Sequence, residues 1–199
     1  MSGYAVFYII KYFSLSSTEL FFSCKKTFET QIKAWAKEDA SIAQALEIAS
    51  RAHEGQTDKA GVSYIEHPMA VAVASGMGEV RDTKAVVVAL LHDVLEDTEV
   101  TQEELAKVFP PEIIDAIFAL TRQADEDYES SIRRCATNRL ARKVKIADLQ
   151  HNLDPKRLKK LACADQKRLQ KKYKPALNYL LDFVDKDELA KQLLEESFF

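Results

Sequence analysis

Apolar residues in this chain recur mostly at intervals of three and four, the spacing of helices with one buried face. Ile42, Ala45, Leu46 and Ala49 predict a first such helix from Ser41 to about His53, with Ser41 and Gln44 placed as a capping box. A loop containing Gly55 and Gly61 runs from Glu54 to Ser63. Pro68 suits the first turn of the next helix, which Gly76 and Gly78 close. Asp82 or Thr83 can cap a central helix ending near Glu96. Thr101 with Glu104 forms a second capping box, and Pro110-Pro111 opens a helix carrying Ile113, Ile114, Ile117 and Leu120. The acidic stretch Ala124 to Glu129 reads as a loop. A helix from about Ser131 to Leu149 follows, and Asp154-Pro155 breaks the chain. A last long helix spans about Ala164 to Val184, kinked at Pro175, before a short terminal helix from Asp185. No strand alternation and no glycine-rich phosphate loop interrupts this pattern. The expected architecture is all-α.

The central helix carries the candidate chemistry. Six apolar residues, Val86 to Leu91, run directly into His92-Asp93-Val94-Leu95-Glu96-Asp97. A helix that is apolar all round is usually buried, yet buried charge is costly unless paired or bound to a metal. Spacings of three and four place His92 with Glu96, and Asp93 with Glu96 and Asp97. No lysine or arginine lies within the run, so a divalent cation is the economical partner. An isolated Glu-Asp pair would instead read as a solvated helix end. His67 enters the site argument because Pro68 stiffens the approach to it. His53 reads as a partly exposed helix-end residue. Asp148 and Asn152, four apart beside the stripe Ile146, Leu149 and Leu153, can close a metal sphere, while His151 is ambiguous.

Composition narrows the class. The 199 residues suit one domain, divided here into 1–38, an N-terminal extension or accessory helix, and 39–199. A net charge of −3 argues against a nucleic-acid partner. Three widely spaced cysteines without a C-x-x-C pair fit a reduced, cytoplasmic protein. The aromatic run Tyr4 to Leu15 is too short to span a bilayer and lacks the marks of a signal peptide. It reads as a packed terminal element or an extension.

The segments Ala52-His53-Glu54-Gly55-Gln56, Tyr64-Ile65-Glu66-His67-Pro68, Leu90-Leu91-His92-Asp93-Val94-Leu95-Glu96-Asp97-Thr98 and Lys145-Ile146-Ala147-Asp148-Leu149-Gln150-His151-Asn152-Leu153 resemble the HD-domain hydrolases of RelA/SpoT-type proteins. The likeness covers about Ser41 to Lys174. It is greater to the stand-alone small alarmone hydrolases, because no synthetase domain follows.

The resemblance implies an HD-type helical fold with a single divalent metal, usually manganese, at His67, His92, Asp93 and Asp148. It matches Glu96 and Asp97 to a catalytic acidic pair and Asn152 to a polar residue at the nucleotide. The implied reaction removes the 3′-pyrophosphate of guanosine 3′,5′-bis(diphosphate) (ppGpp) or a related alarmone, leaving GDP or GTP. Tyr64, Lys59 and Lys145 join the substrate-binding set, the lysines to neutralise phosphate or else as ordinary exposed lysines. At Asp58, Ser63 and Asp154-Pro155 the chain departs from the family pattern, where basic, proline and Arg-Thr residues are common. These departures bear on the base and on the alarmone. Two other readings follow: an HD phosphohydrolase of another nucleotide, such as an adenosine-based alarmone, and a nucleotide-binding regulator without turnover. Oligomeric state has no signal in the sequence.

Overall fold

The computed structural model describes residues 25–78 and 80–196; the aromatic run Tyr4 to Leu15 lies outside them. The architecture is all-α. The helices run α1 Lys25–Glu38, α2 Ala40–Ala52, α3 Glu66–Gly76, α4 Thr83–Leu91, α5 Val94–Asp97, α6 Gln102–Ala106, α7 Pro111–Leu120, α8 Tyr128–Thr137, α9 Arg139–Asn152, α10 Pro155–Leu158 and α11 Cys163–Glu196. Among the described residues the β pairing is confined to one antiparallel bridge, Thr57 with Ser63, closing the loop between α2 and α3.

Helix α4 is the axis. Every residue from Ala85 to Leu91 is buried, and α2, α3, α7 and α9 pack around it. Helix α3 is nearly as enclosed, with Met69 to Val73 in the same core. These two helices reach the metal-candidate residues from inside the protein, so those residues are held by core packing. Helix α1 joins the same core through Phe28 and Ile32, with Trp35 packed against it. A second, smaller cluster of Ile132, Ala136, Leu149, Ala176 and Leu180 fastens α8, α9 and α11 together.

Gly76 shows how tightly this core is closed. A Cβ there would lie 2.3 Å from Val86 Cγ2 and 3.1 Å from Trp35 Cζ3. Gly76→Ala is therefore expected to cost about 1–3 kcal/mol by overpacking, read as a lower midpoint in urea at unchanged slope. An unchanged midpoint would show that α3 and α4 separate freely at this crossing.

Several boundaries differ from those the sequence predicts, each for a local reason. Helix α2 is capped by Asp39, whose Oδ1 accepts from Ser41 N at 2.9 Å and Ile42 N at 3.4 Å; Ser41 does not form the expected capping box. The central helix does not reach Glu96. It stops at Leu91, where His92 Nδ1 donates to Ala89 O at 2.7 Å and takes the carbonyl that the Asp93 amide would have used. The predicted helix from Ser131 to Leu149 is two helices. Asn138 is extended, and its Oδ1 accepts from Leu140 N and Ala141 N at 3.0 Å to begin α9. Helix α11 runs on through Asp185 as a single element with Pro175 inside it, so no separate terminal helix begins there. Of the two caps open to α4, Asp82 is the one used, and the Thr101–Glu104 capping box of α6 is formed as predicted.

Candidate metal centre

Three buried residues from three elements meet at the inner end of α4. His67 is the second residue of α3, His92 lies in the turn after α4, and Asp148 faces inward from α9. One donor atom from each lies within 4.8 Å of the other two. His67 Nε2 is 3.2 Å from Asp148 Oδ1. Asp93 Oδ2 completes the group, 3.0 Å from His92 Nε2 and 3.8 Å from His67 Nε2. The break after Leu91 makes this possible, because adjacent residues on a continuing helix would diverge.

The donor set fits a divalent cation. Donation of Nδ1–H to Ala89 O makes Nε2 the nitrogen that His92 offers a cation once its second proton leaves. That Nε2 is buried and faces Asp93 Oδ2 at 3.0 Å. Two imidazoles with two carboxylates form a mixed nitrogen and oxygen set, which suits Mn²⁺ or Fe²⁺. Burial works to lower the His92 pKa, but Asp93 and, behind it, Asp148 outweigh it and raise it to about 9. His67 is pushed the other way by burial, so its neutral ring is favoured. Burial would raise the Asp93 pKa, yet the His92 and His67 rings hold it below the ordinary carboxylate range.

Asp148 is gripped on both oxygens. Asn152 Nδ2 donates to Oδ1 at 2.6 Å and Lys145 Nζ to Oδ2 at 2.7 Å. Both residues, read from the sequence as substrate contacts, thus turn toward a metal-candidate carboxylate. Burial disfavours charge on Lys145, but Asp148 outweighs it and raises the lysine pKa. Such outer contacts orient a ligand and fix its charge.

The rim is built around Tyr64. Its hydroxyl donates to Asp93 Oδ2 at 2.6 Å and lies 3.2 Å from Asp97 Oδ2, bridging the cluster to the acidic pair. Asp97 lies at the exposed rim, where desolvation by its neighbours, followed by the Asp93 charge, raises its pKa. Glu96 points elsewhere, its Oε2 accepting from Arg122 N at 3.1 Å. Lys59 is exposed and lies 3.4 Å from Asp165 Oδ1.

The departures from the family pattern have structural partners. Asp58 Oδ1 accepts from Ala60 N at 2.8 Å and Val62 N at 3.0 Å, and Oδ2 lies 3.4 Å from Arg157 Nη2. Its charge therefore shapes the loop and faces a guanidinium. Asp154 caps α10, accepting from Lys156 N at 2.9 Å, with Pro155 as the first helical residue.

Two histidines play parts that sequence spacing did not reveal. His53 is 2% exposed, so it is no partly exposed helix-end residue. Its Nδ1 donates to Gln56 Oε1 at 2.9 Å, and Gln56 Nε2 donates to Asp97 O at 3.1 Å, tying α2 and its loop to α5. The His151 ring lies edge to edge with that of His67, centroids 4.9 Å apart and 19° from parallel. Burial, with the His67 ring and Arg157 nearby, pushes its pKa down to about 2. The one available signal for both was their place within the quoted motifs.

These features define a helical HD-type protein with a His/Asp centre, and comparison with known proteins agrees. The HD domain family model matches residues 45–168, and the chain belongs to that family. By sequence it falls among proteins named guanosine-3′,5′-bis(diphosphate) 3′-pyrophosphohydrolase. One, from Borreliella burgdorferi, is 39% identical over 125 residues, covering 63% of this chain and 18% of the relative. Another, MESH1 of Danio rerio, is 32% identical over 122 residues, covering 57% of this chain and 68% of the relative. The chain thus spans less than a fifth of the length of the Borreliella relative. A solved structure described as a metazoan ortholog of SpoT that hydrolyzes ppGpp shares the fold, with a TM-score of 0.54 and 21% identity over 75% of this chain and 96% of that one. No helix among the described residues is long and apolar enough to cross a membrane.

Proposed function

We propose that this chain hydrolyses the 3′-pyrophosphate bond of ppGpp or a closely related alarmone, releasing pyrophosphate and GDP or GTP, with manganese as its metal and the cytoplasm as its compartment. The observation that carries the reading is the meeting of His67, His92 and Asp148 within 4.8 Å, with Asp93 against both rings. Its relatives carry the name of that activity at 32–39% identity. In this reading His67, His92, Asp93 and Asp148 hold the metal. A divalent cation there supplies Lewis-acid polarisation of the phosphoryl group and makes water a better nucleophile at neutral pH.

The chain's own residues do the rest. Asp97, whose pKa is raised by desolvation and by the Asp93 charge, takes the proton of the attacking water. Glu96 stands beside it as the second acidic residue. Tyr64 holds Asp93 and Asp97 in register through one hydroxyl. Lys145 and Asn152 keep Asp148 ionised and oriented. Lys59, exposed in the loop and paired with Asp165, would exchange that carboxylate for a phosphate. Purified protein with Mn²⁺ should release pyrophosphate from ppGpp, followed by chromatography of the products. No turnover of any 3′-pyrophosphorylated nucleotide would reject the proposal.

Tyr64→Phe separates the two acidic residues. The Tyr64 hydrogen bond lowers the Asp97 pKa, so its loss raises that pKa further. The acidic limb of the kcat/KM profile should then move to higher pH, with kcat reduced roughly tenfold. An unmoved limb would transfer the proton-accepting role to Glu96, which Tyr64 does not touch.

A second nucleotide specificity rests on Asp58, whose carboxylate is committed to the loop and to Arg157. A panel of guanosine and adenosine alarmones, run on the wild type and on Asp58→Arg, decides between them.

A further inference from the structure

His67 and His151 belong to α3 and α9, 84 positions apart, and face each other through their Nδ1 atoms at 2.7 Å. The rings lie nearly parallel, 19° apart, and both side chains are buried. Two ring nitrogens at that distance form a hydrogen bond only if one carries hydrogen and the other offers its lone pair. The far side of the His67 ring decides which. His67 Nε2 looks toward Asp148 Oδ1 and Asp93 Oδ2, the oxygen side of the cluster. A cation bound there takes the Nε2 lone pair, so the His67 hydrogen must sit on Nδ1. His67 then donates and His151 accepts. His92 shows the same logic, with its Nδ1–H spent on Ala89 O and its Nε2 turned to Asp93 Oδ2. The two ring nitrogens of a ligating histidine are coupled in this way: the partner of one selects the state of the other.

We propose that His151 is the positioning residue of the centre, accepting the Nδ1–H of His67 and so presenting His67 Nε2 to the metal. The inference rests on the proposed metal site and assigns to the histidine of Gln150-His151-Asn152 a role distinct from ligation. The alternative is that His151 serves only as a packing partner, and two substitutions separate these roles. His151→Phe keeps a ring against His67 but has no acceptor. His151→Asn loses the ring and keeps an acceptor oxygen.

Mn²⁺ affinity is measured by calorimetry on wild type and both variants, with metal-free thermal midpoints as a control for folding. His151→Phe should bind Mn²⁺ about 10–100-fold more weakly, and His151→Asn should recover most of that loss. Phe binding within about twofold of wild type, or Asn binding no better than Phe, overturns the proposal. A measurement independent of any variant uses wild type loaded with diamagnetic Zn²⁺. Long-range ¹H–¹⁵N correlation should show His67 Nδ1 protonated; an unprotonated Nδ1 overturns the proposal. Wild type with no saturable metal binding overturns the metal reading itself and this inference with it. Wild-type binding that the Phe variant matches removes the His151 role alone.

Discussion

Asp148→Asn is expected to reduce Mn²⁺-dependent pyrophosphate release on the order of 10³-fold, because the charge it removes belongs to the electrostatic core of the reaction. The substitution changes little in volume. It keeps one acceptor oxygen, so only one of the Asn152 and Lys145 donors retains its partner. What disappears is the negative charge that faces His67 and neutralises Lys145 from within the protein. Metal affinity should fall together with kcat, and the loss in kcat should persist at saturating Mn²⁺. Calorimetry and single-turnover assays on the same preparation read both. Activity within about tenfold of wild type would show that the chemistry does not pass through this carboxylate.

The second large effect is a pH dependence of metal binding. In the metal-free protein His92 holds its proton up to about pH 9 because Asp93 and Asp148 face it. A cation must displace that proton to use Nε2. The apparent Mn²⁺ dissociation constant should therefore tighten about tenfold per pH unit from 7 toward 9 and then level off, about a hundredfold in all. Calorimetry in buffers of different ionisation enthalpy should count close to one proton released per metal at pH 7.5. The stability of the metal-free protein carries the same signature. A histidine raised from 6.5 to about 9 stabilises the fold fully below 6.5 and loses that contribution as pH rises to 9. The thermal midpoint should thus fall across this window without metal and hold steady with saturating Mn²⁺. A dissociation constant flat between pH 7 and 9 would mean that His92 is not the group displaced.

Much of the site could be read directly from the chain. The run Val86 to Leu91 leading into His92-Asp93 announced ionisable groups inside a core, and α4 is fully enclosed from Ala85 to Leu91. Its reading as one straight helix failed at His92, since a side chain that captures a backbone carbonyl leaves no trace in hydrophobic spacing. Helical spacing therefore paired His92 with Glu96, whereas the nearest carboxylate to its ring is that of the next residue, Asp93. The helix split at Asn138 was legible in principle, because asparagine is a preferred cap. The burial of His53 was not, because it depends on Tyr64 and Gln56 arriving from a loop that folds back over it.

Taken alone, the sequence determined the helical class, the capped starts at Asp82 and Thr101, and the residue types of the centre, because periodicity and local hydrogen-bonding chemistry are properties of neighbouring residues. Only the tertiary structure decided which nitrogen faces which oxygen. It turned Lys145 and Asn152 inward onto Asp148, joined Asp93 to Asp97 through Tyr64, and set His151 against His67 across 84 positions. Those relations depend on how α3, α4 and α9 pack against one another, and side-chain direction in a packed core is settled by all the neighbouring elements at once.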